Sequence, residues 1–149
     1  MAEWSNMHER SVPQIEFARF LEERAHEIVA PDAATVIETA MSFEALRRVD
    51  FKSAVRLSNG TREFVYVEED QAKGKVVMPE RLSFAVPIFD EMEKQTVSAR
   101  IRYRLDEGRL FFSIVFDDLS EIERDAFQVC VSVFEDALRG EIPVWPVIF

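Results

Sequence analysis

The chain has 149 residues, of which 48% are hydrophobic, so it can bury the core of one domain and is not intrinsically disordered. Its formal net charge of −10 disfavours a protein that wraps duplex DNA with its whole surface. The single cysteine, Cys130, excludes an intrachain disulfide and fits a reducing cytoplasm. No signal-peptide pattern begins the chain, and no apolar run is long enough to cross a membrane.

Two helices are predicted in the first third of the chain. Residues 1–10 show no regular pattern, so we expect them to be loosely held, although Trp4 can pack. The sequence SVPQ at residues 11–14 has the form of a capping box, and apolar residues then follow at helical spacing until Pro31 breaks the helix. Asp32 can cap a second helix that ends near Arg48. Its apolar face is predicted to contain Val36, Ile37, Ala40 and Met41.

Strands are predicted next, because the apolar period changes to two after residue 50. Asn59-Gly60 is typical of a two-residue hairpin turn, which would pair Val55 with Phe64 and Arg56 with Glu63. Residues 68–75 are predicted to form a loop, and a further strand follows Met78-Pro79.

The stretch VSARIRYRLDEGRLFFSIVF, residues 97–116, predicts a second hairpin. A tight turn at Glu107-Gly108 would pair Leu105 with Leu110 and place apolar residues opposite one another along both strands. Arg100, Arg102 and Arg104 then lie on the other face, together with Phe111 and Val115.

A long helix is predicted between a second capping box at residues 120–123 and a stop at Gly140. Its polar stripe is narrow, so most of the helix, including Phe134, is predicted to be buried. The apolar tail is expected to cover the core, the alternative being contact with a partner through Trp145 and Phe149. Together these elements predict a single α+β domain with two N-terminal helices, an antiparallel sheet of about five strands, a long C-terminal helix packed on that sheet and a short apolar tail.

The arginine face and the acidic clusters are the candidate functional surfaces. Arginines interleaved with apolar residues are typical of a solvated sheet face, of a protein-binding surface or of a track for single-stranded nucleic acid. The acidic clusters are solvated ends of strands and helices, a mimic of a phosphate backbone, or, at Asp117-Asp118, an incomplete magnesium site. The acidic residues concerned are Glu68, Glu69, Asp70, Asp117, Asp118 and Glu121.

No catalytic residue, metal site or cofactor is predicted. The four glycines are scattered over turns and helix ends, so they do not form a phosphate-binding loop. His26 lies near Glu22 and Glu23 and is interpreted as a solvated histidine, since a metal site needs three or four convergent ligands. Cys130 lies among apolar residues and is interpreted as a small core side chain.

Four phrases of the chain resemble a known family: PQIEFARFLEERA, FKSAVRLSNGTREFVYVEE, ARIRYRLDEGRLFFSI and ERDAF. They are similar to an uncharacterised phage and prophage family, DUF2303, over the chain from about Val12 to the tail. Other members are longer, so the resemblance covers their C-terminal part. It implies a phage or mobile-element origin and a bacterial cytoplasm, and it supplies no catalytic residues.

These observations lead to three functional hypotheses. The first is a non-enzymatic phage protein that binds a host protein or ribonucleoprotein complex, such as a CRISPR effector, and inhibits host defence as an anti-CRISPR does. The second is a nucleic-acid-binding accessory protein of phage recombination or replication, and the third is a metal-dependent nuclease. No membrane partner is expected, and the oligomeric state is left open.

Overall fold

The computed structural model describes residues 1–46, 49–68 and 73–138, and it confirms a mixed α+β fold. A 3₁₀ turn, Ala25–Glu27, follows the helix Gln14–Arg24. The α-helices in these ranges are α1 (Ala2–Ser5), α2 (Gln14–Arg24), α3 (Ala33–Ala45) and α4 (Leu119–Leu138). The strands are β1 (Val12–Pro13), β2 (Ile28–Ala30), β3 (Asp50–Arg56), β4 (Thr61–Val67), β5 (Lys73–Pro79), β6 (Arg81–Val86), β7 (Gln95–Asp106) and β8 (Arg109–Val115).

The described strands form two antiparallel sheets. A five-stranded sheet has the order β1-β8-β7-β6-β2, and a three-stranded sheet has the order β3-β4-β5. The sequence predicted one sheet of about five strands and treated the start of β5 as a loop. The difference arises at Glu80, which alone separates β5 from β6, although the two strands belong to different sheets.

An aromatic cluster joins the two sheets to the helices. The ring of Phe64 in β4 meets the ring of Phe112 in β8 edge-to-face at 5.7 Å between centroids. Phe43 of α3 contacts both of them, at 5.9 and 5.2 Å, and Phe17 of α2 stacks on Phe112 at 4.9 Å. All four side chains are buried, so one apolar core serves both sheets.

The first ten residues pack against the body of the protein, contrary to the expectation that they are loosely held. The indole of Trp4 is buried and stacks on Phe84 at 3.9 Å between centroids, and its Nε1 donates to Glu27 at 2.7 Å. Met7 is also buried, and the terminal amino group donates to the carbonyl of Pro87 at 3.0 Å. Trp4 therefore anchors this segment through its ring and its Nε1 group, together with Met7 and the terminal amino group.

Helix α2 begins differently from the prediction. Residues 11–14 do not form a capping box, because Val12 and Pro13 pair with β8 as strand β1 and the helix starts at Gln14 without a side-chain cap. Gln14 is buried, and its amide donates to the carbonyls of Phe43 and Leu46 at 3.2 and 2.8 Å. It therefore satisfies carbonyls at the end of α3.

Helix α3 is capped as predicted, since Asp32 Oδ1 accepts a hydrogen bond from the amide of Thr35 at 3.0 Å. Its buried face contains Val36, Ala40 and Phe43. Ile37 and Met41, which were predicted to share that face, are exposed.

The two hairpins test the turn predictions separately. In β7–β8 the predicted register is confirmed: Leu105 pairs with Leu110, and Glu107 and Gly108 both have positive φ, at 48° and 76°. In β3–β4 the predicted register is wrong by one residue, and Arg56 pairs with Arg62. The cause is a three-residue loop, residues 58–60, in which Gly60 alone adopts positive φ.

Helix α4 is much less buried than predicted. It begins at Leu119, where the first-turn amides of Glu121 and Ile122 donate to the carbonyl of Asp118, so Ser120 is not its cap. Ala126 is buried, but Phe134 is 57% exposed. The prediction that Phe134 is buried is wrong because only the first half of α4 packs on the core. Gly140 and the tail lie outside the described residues.

We expect Phe64→Ala to lower the free energy of unfolding by about 3–5 kcal/mol, because it empties a buried site shared by both sheets. Urea unfolding measures the loss. Met41→Ala, at a side chain 59% exposed on α3, is the control and should change stability by less than about 0.5 kcal/mol. A loss below about 1 kcal/mol at Phe64 would show that the cluster is not the shared core.

Candidate arginine groove

Arginines face each other across strands at two places where the sheets meet. Arg56 of β3 pairs directly with Arg62 of β4, and Arg81 of β6 pairs directly with Arg100 of β7. Like charges directly opposite each other destabilise an antiparallel sheet. Each pair therefore needs a negative charge beside it.

Glu80 supplies that charge for the first pair. Its two carboxylate oxygens form ion pairs with Nε of Arg56 and Nε of Arg62, both at 3.0 Å, and its side chain is only 15% exposed. The backbone of Glu80 is held as well, since its amide donates to the carbonyl of Gly60 and its carbonyl accepts from the amide of Ile101. The carboxylate is thus fixed between the two sheets.

Asp117 plays the same part for the second pair. It follows β8, and its carboxylate binds Arg81 at 3.1 Å and also forms an ion pair with Arg100. The hydrogen bond from Arg81, together with the nearby charge of Arg100, lowers the pKa of Asp117 below the ordinary aspartate value.

These two clusters line one groove, which we call the arginine groove. It has a volume of about 280 Å³. Five guanidinium groups with the carboxylates of Glu80 and Asp117 leave a formal charge of +3 in a chain whose net charge is −10. Arg102 is exposed and forms no ion pair within the described part of the chain. The groove is lined by Arg56, Arg62, Glu80, Arg81, Arg100, Ile101 and Arg102.

Two guanidinium groups, one in the groove and one beside it, are oriented by aromatic rings. Arg62 lies over the ring of Tyr103 at 5.0 Å, and Arg104 lies over the ring of Phe111 at 4.8 Å. Arg104 also forms an ion pair with Asp106 at 3.1 Å. Arg104 therefore extends the row of arginines along β7 beyond the groove, and Asp106 partly neutralises its charge.

Of the residues predicted for the arginine face, the structure brings Arg100 and Arg102 into the groove and places Arg104 with Phe111 beside it. Val115 does not belong to an open surface, because it is only 6% exposed. Such a buried side chain is not available to a partner, in contrast to the prediction that Val115 contacts one.

The predicted acidic surface is divided by the structure. Asp117 is not a free acidic group, since it forms ion pairs with two arginines. Asp118, Glu68 and Glu121 are exposed, and Glu121 lies 3.5 Å from Arg124. The remaining predicted contact residues, Glu69, Asp70, Trp145 and Phe149, lie outside the described residues.

His26 and Cys130 were also considered as possible metal-binding or reactive side chains. Within the described ranges, no group of three or more histidine, cysteine or acidic side chains could hold a metal ion. His26 is exposed and lies 3.9 Å from Glu27, and Cys130 lies half-buried with its Sγ 3.7 Å from Met92 Sδ. No described helix has the combined length and apolar character that crossing a membrane requires.

The sequence prediction missed Arg56, Arg62, Glu80 and Arg81 as members of the groove. Each of them lies at or next to the end of a strand, and the prediction of a single sheet did not bring these strand ends together. A signal was present in the short spacing between Pro79 and Leu82, where Glu80-Arg81 interrupts two apolar strands.

Comparison with known proteins gives one match. A family model described as "Uncharacterized conserved protein (DUF2303)" matches residues 1–145. Searches of the curated proteins and of the solved structures found no match.

We expect Glu80→Gln to lower the free energy of unfolding by about 2 kcal/mol, between the values typical of exposed and of buried ion pairs. The reason is that Arg56 and Arg62 would face each other without a counter-charge. Urea unfolding at low and high salt measures the effect, and high salt should reduce the loss by screening the repulsion.

The control for this prediction is the double variant Arg56→Gln/Glu80→Gln, which should recover part of the lost stability because only one guanidinium remains. A loss that neither salt nor the second substitution reduces would contradict the electrostatic explanation.

Because the pKa of Asp117 is lowered in the folded protein, its ion pairs stabilise the fold above the ordinary aspartate pKa of about 3.9, and this contribution is lost as the pH falls through the lowered value. We therefore expect wild type to be more stable than Asp117→Asn at pH 7, with the difference closing below about pH 4. Thermal unfolding of both proteins from pH 7 to pH 2 measures it. A difference that persists unchanged at pH 2 would contradict this assignment.

Proposed function

The chain belongs to the DUF2303 family, and from this membership together with the arginine groove we propose that it is a non-enzymatic binding protein. Its partner is a host protein or ribonucleoprotein complex, which presents acidic groups to the groove. The observation that carries this proposal is the concentration of five arginines, of which Arg102 has no ion pair among the described residues, on a chain of net charge −10.

The arrangement of the arginines favours a short, shaped acidic surface as the ligand. Arg56, Arg62, Arg81 and Arg100 are already held by carboxylates, so little side-chain freedom remains to be lost on binding. Guanidinium groups match carboxylates in two-point contacts, which suits acidic side chains of a protein partner. A long polyanion would meet the +3 groove only locally and would be repelled by the rest of the acidic chain.

The host setting comes from the phage and prophage origin that the resemblance implies. Small proteins from that setting bind and disable host machinery, so inhibition of a defence complex, as by an anti-CRISPR, is the most concrete form of the proposal. It places the protein in the bacterial cytoplasm. This part of the proposal rests on the family resemblance and not on the geometry of the groove.

A second candidate function is binding of single-stranded nucleic acid during phage recombination or replication. The observation that favours it is the alternation of guanidinium groups and rings, Arg62 over Tyr103 and Arg104 over Phe111, beside the groove. Bases stack on aromatic side chains above a cationic track in such proteins.

We expect Arg102→Glu to weaken partner binding by about thirtyfold, or about 2 kcal/mol, because a desolvated arginine contact is replaced by repulsion. Thermal stability should change by less than about 0.5 kcal/mol, since Arg102 is exposed and unpaired in the described structure. The partner is first captured from nuclease-treated host lysate and identified, and its affinity is then measured at two salt concentrations. Arg19→Glu, the same charge change at an exposed position of α2, is the control.

Equal binding by wild type, Arg102→Glu and Arg19→Glu would refute the groove as the binding surface. Capture of bare nucleic acid when the nuclease is omitted, with an affinity that falls steeply with salt, would favour the nucleic-acid candidate instead.

A further inference from the structure

An apolar stripe runs along α4, and the core covers only its first half. Leu119 and Ile122 pack against the core, and Ala126, one turn further on, is buried. Residues spaced three and four apart continue the same stripe, as helical periodicity requires. Within this continuation Val133 is 64% exposed and Phe134 is 57% exposed.

The open half of the stripe forms one wall of a second groove, which we call the α4 groove. The segment from Asp90 to Gln95 forms the opposite wall, and Met92 contacts Cys130 there. The groove has a volume of about 640 Å³. Its floor is apolar, while Asp90, Glu91 and Glu93 lie along its rim.

We infer that the α4 groove is the docking site of the chain's own C-terminal segment, residues 139–149, which lies outside the described residues. This segment follows α4 directly, and residues 142–149 carry no charged side chain. Ile142, Val144, Trp145, Val147, Ile148 and Phe149 supply apolar groups to match the exposed stripe.

The segment is long enough to reach the groove. Val129, at the far end of the open stripe, lies about 13.5 Å along the helix axis from Leu138, at 1.5 Å per residue. The eleven residues after Leu138 can span up to about 36 Å when extended. Gly140 can accept the positive φ that ends a helix, and Pro143 and Pro146 favour extended chain, so a return along α4 fits the local sequence.

A second copy of the chain is a poorer occupant than this segment. Two copies related by a twofold axis would bring their acidic rims, Asp90, Glu91 and Glu93, close together. Glu135 and Asp136 on α4 would add to the repulsion between chains that each carry a net charge of −10. The segment from Ile142 onwards carries no charged side chain, so its side chains meet no such repulsion.

The test uses the full chain and its single cysteine, Cys130, which lines the groove. In the variant Trp145→Ser/Ile148→Ser, the Cys130 thiol should react with a disulfide reagent about tenfold faster than in wild type, because a docked segment limits access to the thiol. Met41→Ser, at an exposed apolar residue of α3, is the control and should leave the rate unchanged. Circular dichroism verifies that each variant is folded.

A second measurement covers the case in which the double variant unfolds. Iodide quenching is compared between wild type and Trp145→Phe, so that the difference reports Trp145 alone; the other tryptophan, Trp4, is buried. The inference is supported if Trp145 is protected from iodide while light scattering shows that the protein is a monomer. An accessible Trp145, a Cys130 rate that is unchanged in a folded double variant, or protection that disappears when a dimer is diluted would overturn it.

Discussion

The ion pairs of Glu80 with Arg56 and Arg62 are the interaction on which the arginine groove depends. They place one negative charge between two guanidinium groups that strand pairing sets opposite each other, at the point where the chain passes from one sheet to the other. The same residue joins the sheets through its backbone, because its carbonyl accepts from Ile101. One residue therefore supports the local electrostatics through its side chain and the junction of the sheets through its backbone.

The two sides of that junction are held by different forces. On the inner side, Phe64 and Phe112 bury their rings against each other and against the helices. The resulting hydrophobic stabilisation is non-directional and depends on close packing. On the outer side, two arginine pairs each share one carboxylate, which is directional and sensitive to salt and pH. The core thus stabilises the fold, and the charged side gives the groove its positive potential.

The fold class, the β7–β8 register and the Asp32 cap were predictable because each depends on neighbouring residues or on strict alternation. The β3–β4 register was missed because Asn59-Gly60 fits a two-residue and a three-residue loop, and only the contacts of β4 decide between them. The exposure of α4 was missed for a similar reason: periodicity identifies an apolar stripe but not the length of core available to cover it. Of the five arginines in the groove, the two from β7, Arg100 and Arg102, were predictable, whereas Glu80 and its partners depend on which strands meet across the two sheets.

The connection between β5 and β6 is a single residue, and this leaves no slack between the sheets. Pro79, on one side of it, lacks a free φ torsion, and Glu80 is fixed by hydrogen bonds on both of its backbone groups. The angle between the sheets, and with it the width of the arginine groove, is consequently a property of the covalent chain rather than of side-chain adjustment. The groove therefore has a fixed shape, and an insertion of even one residue at this connection would alter that shape without changing any residue that lines the groove.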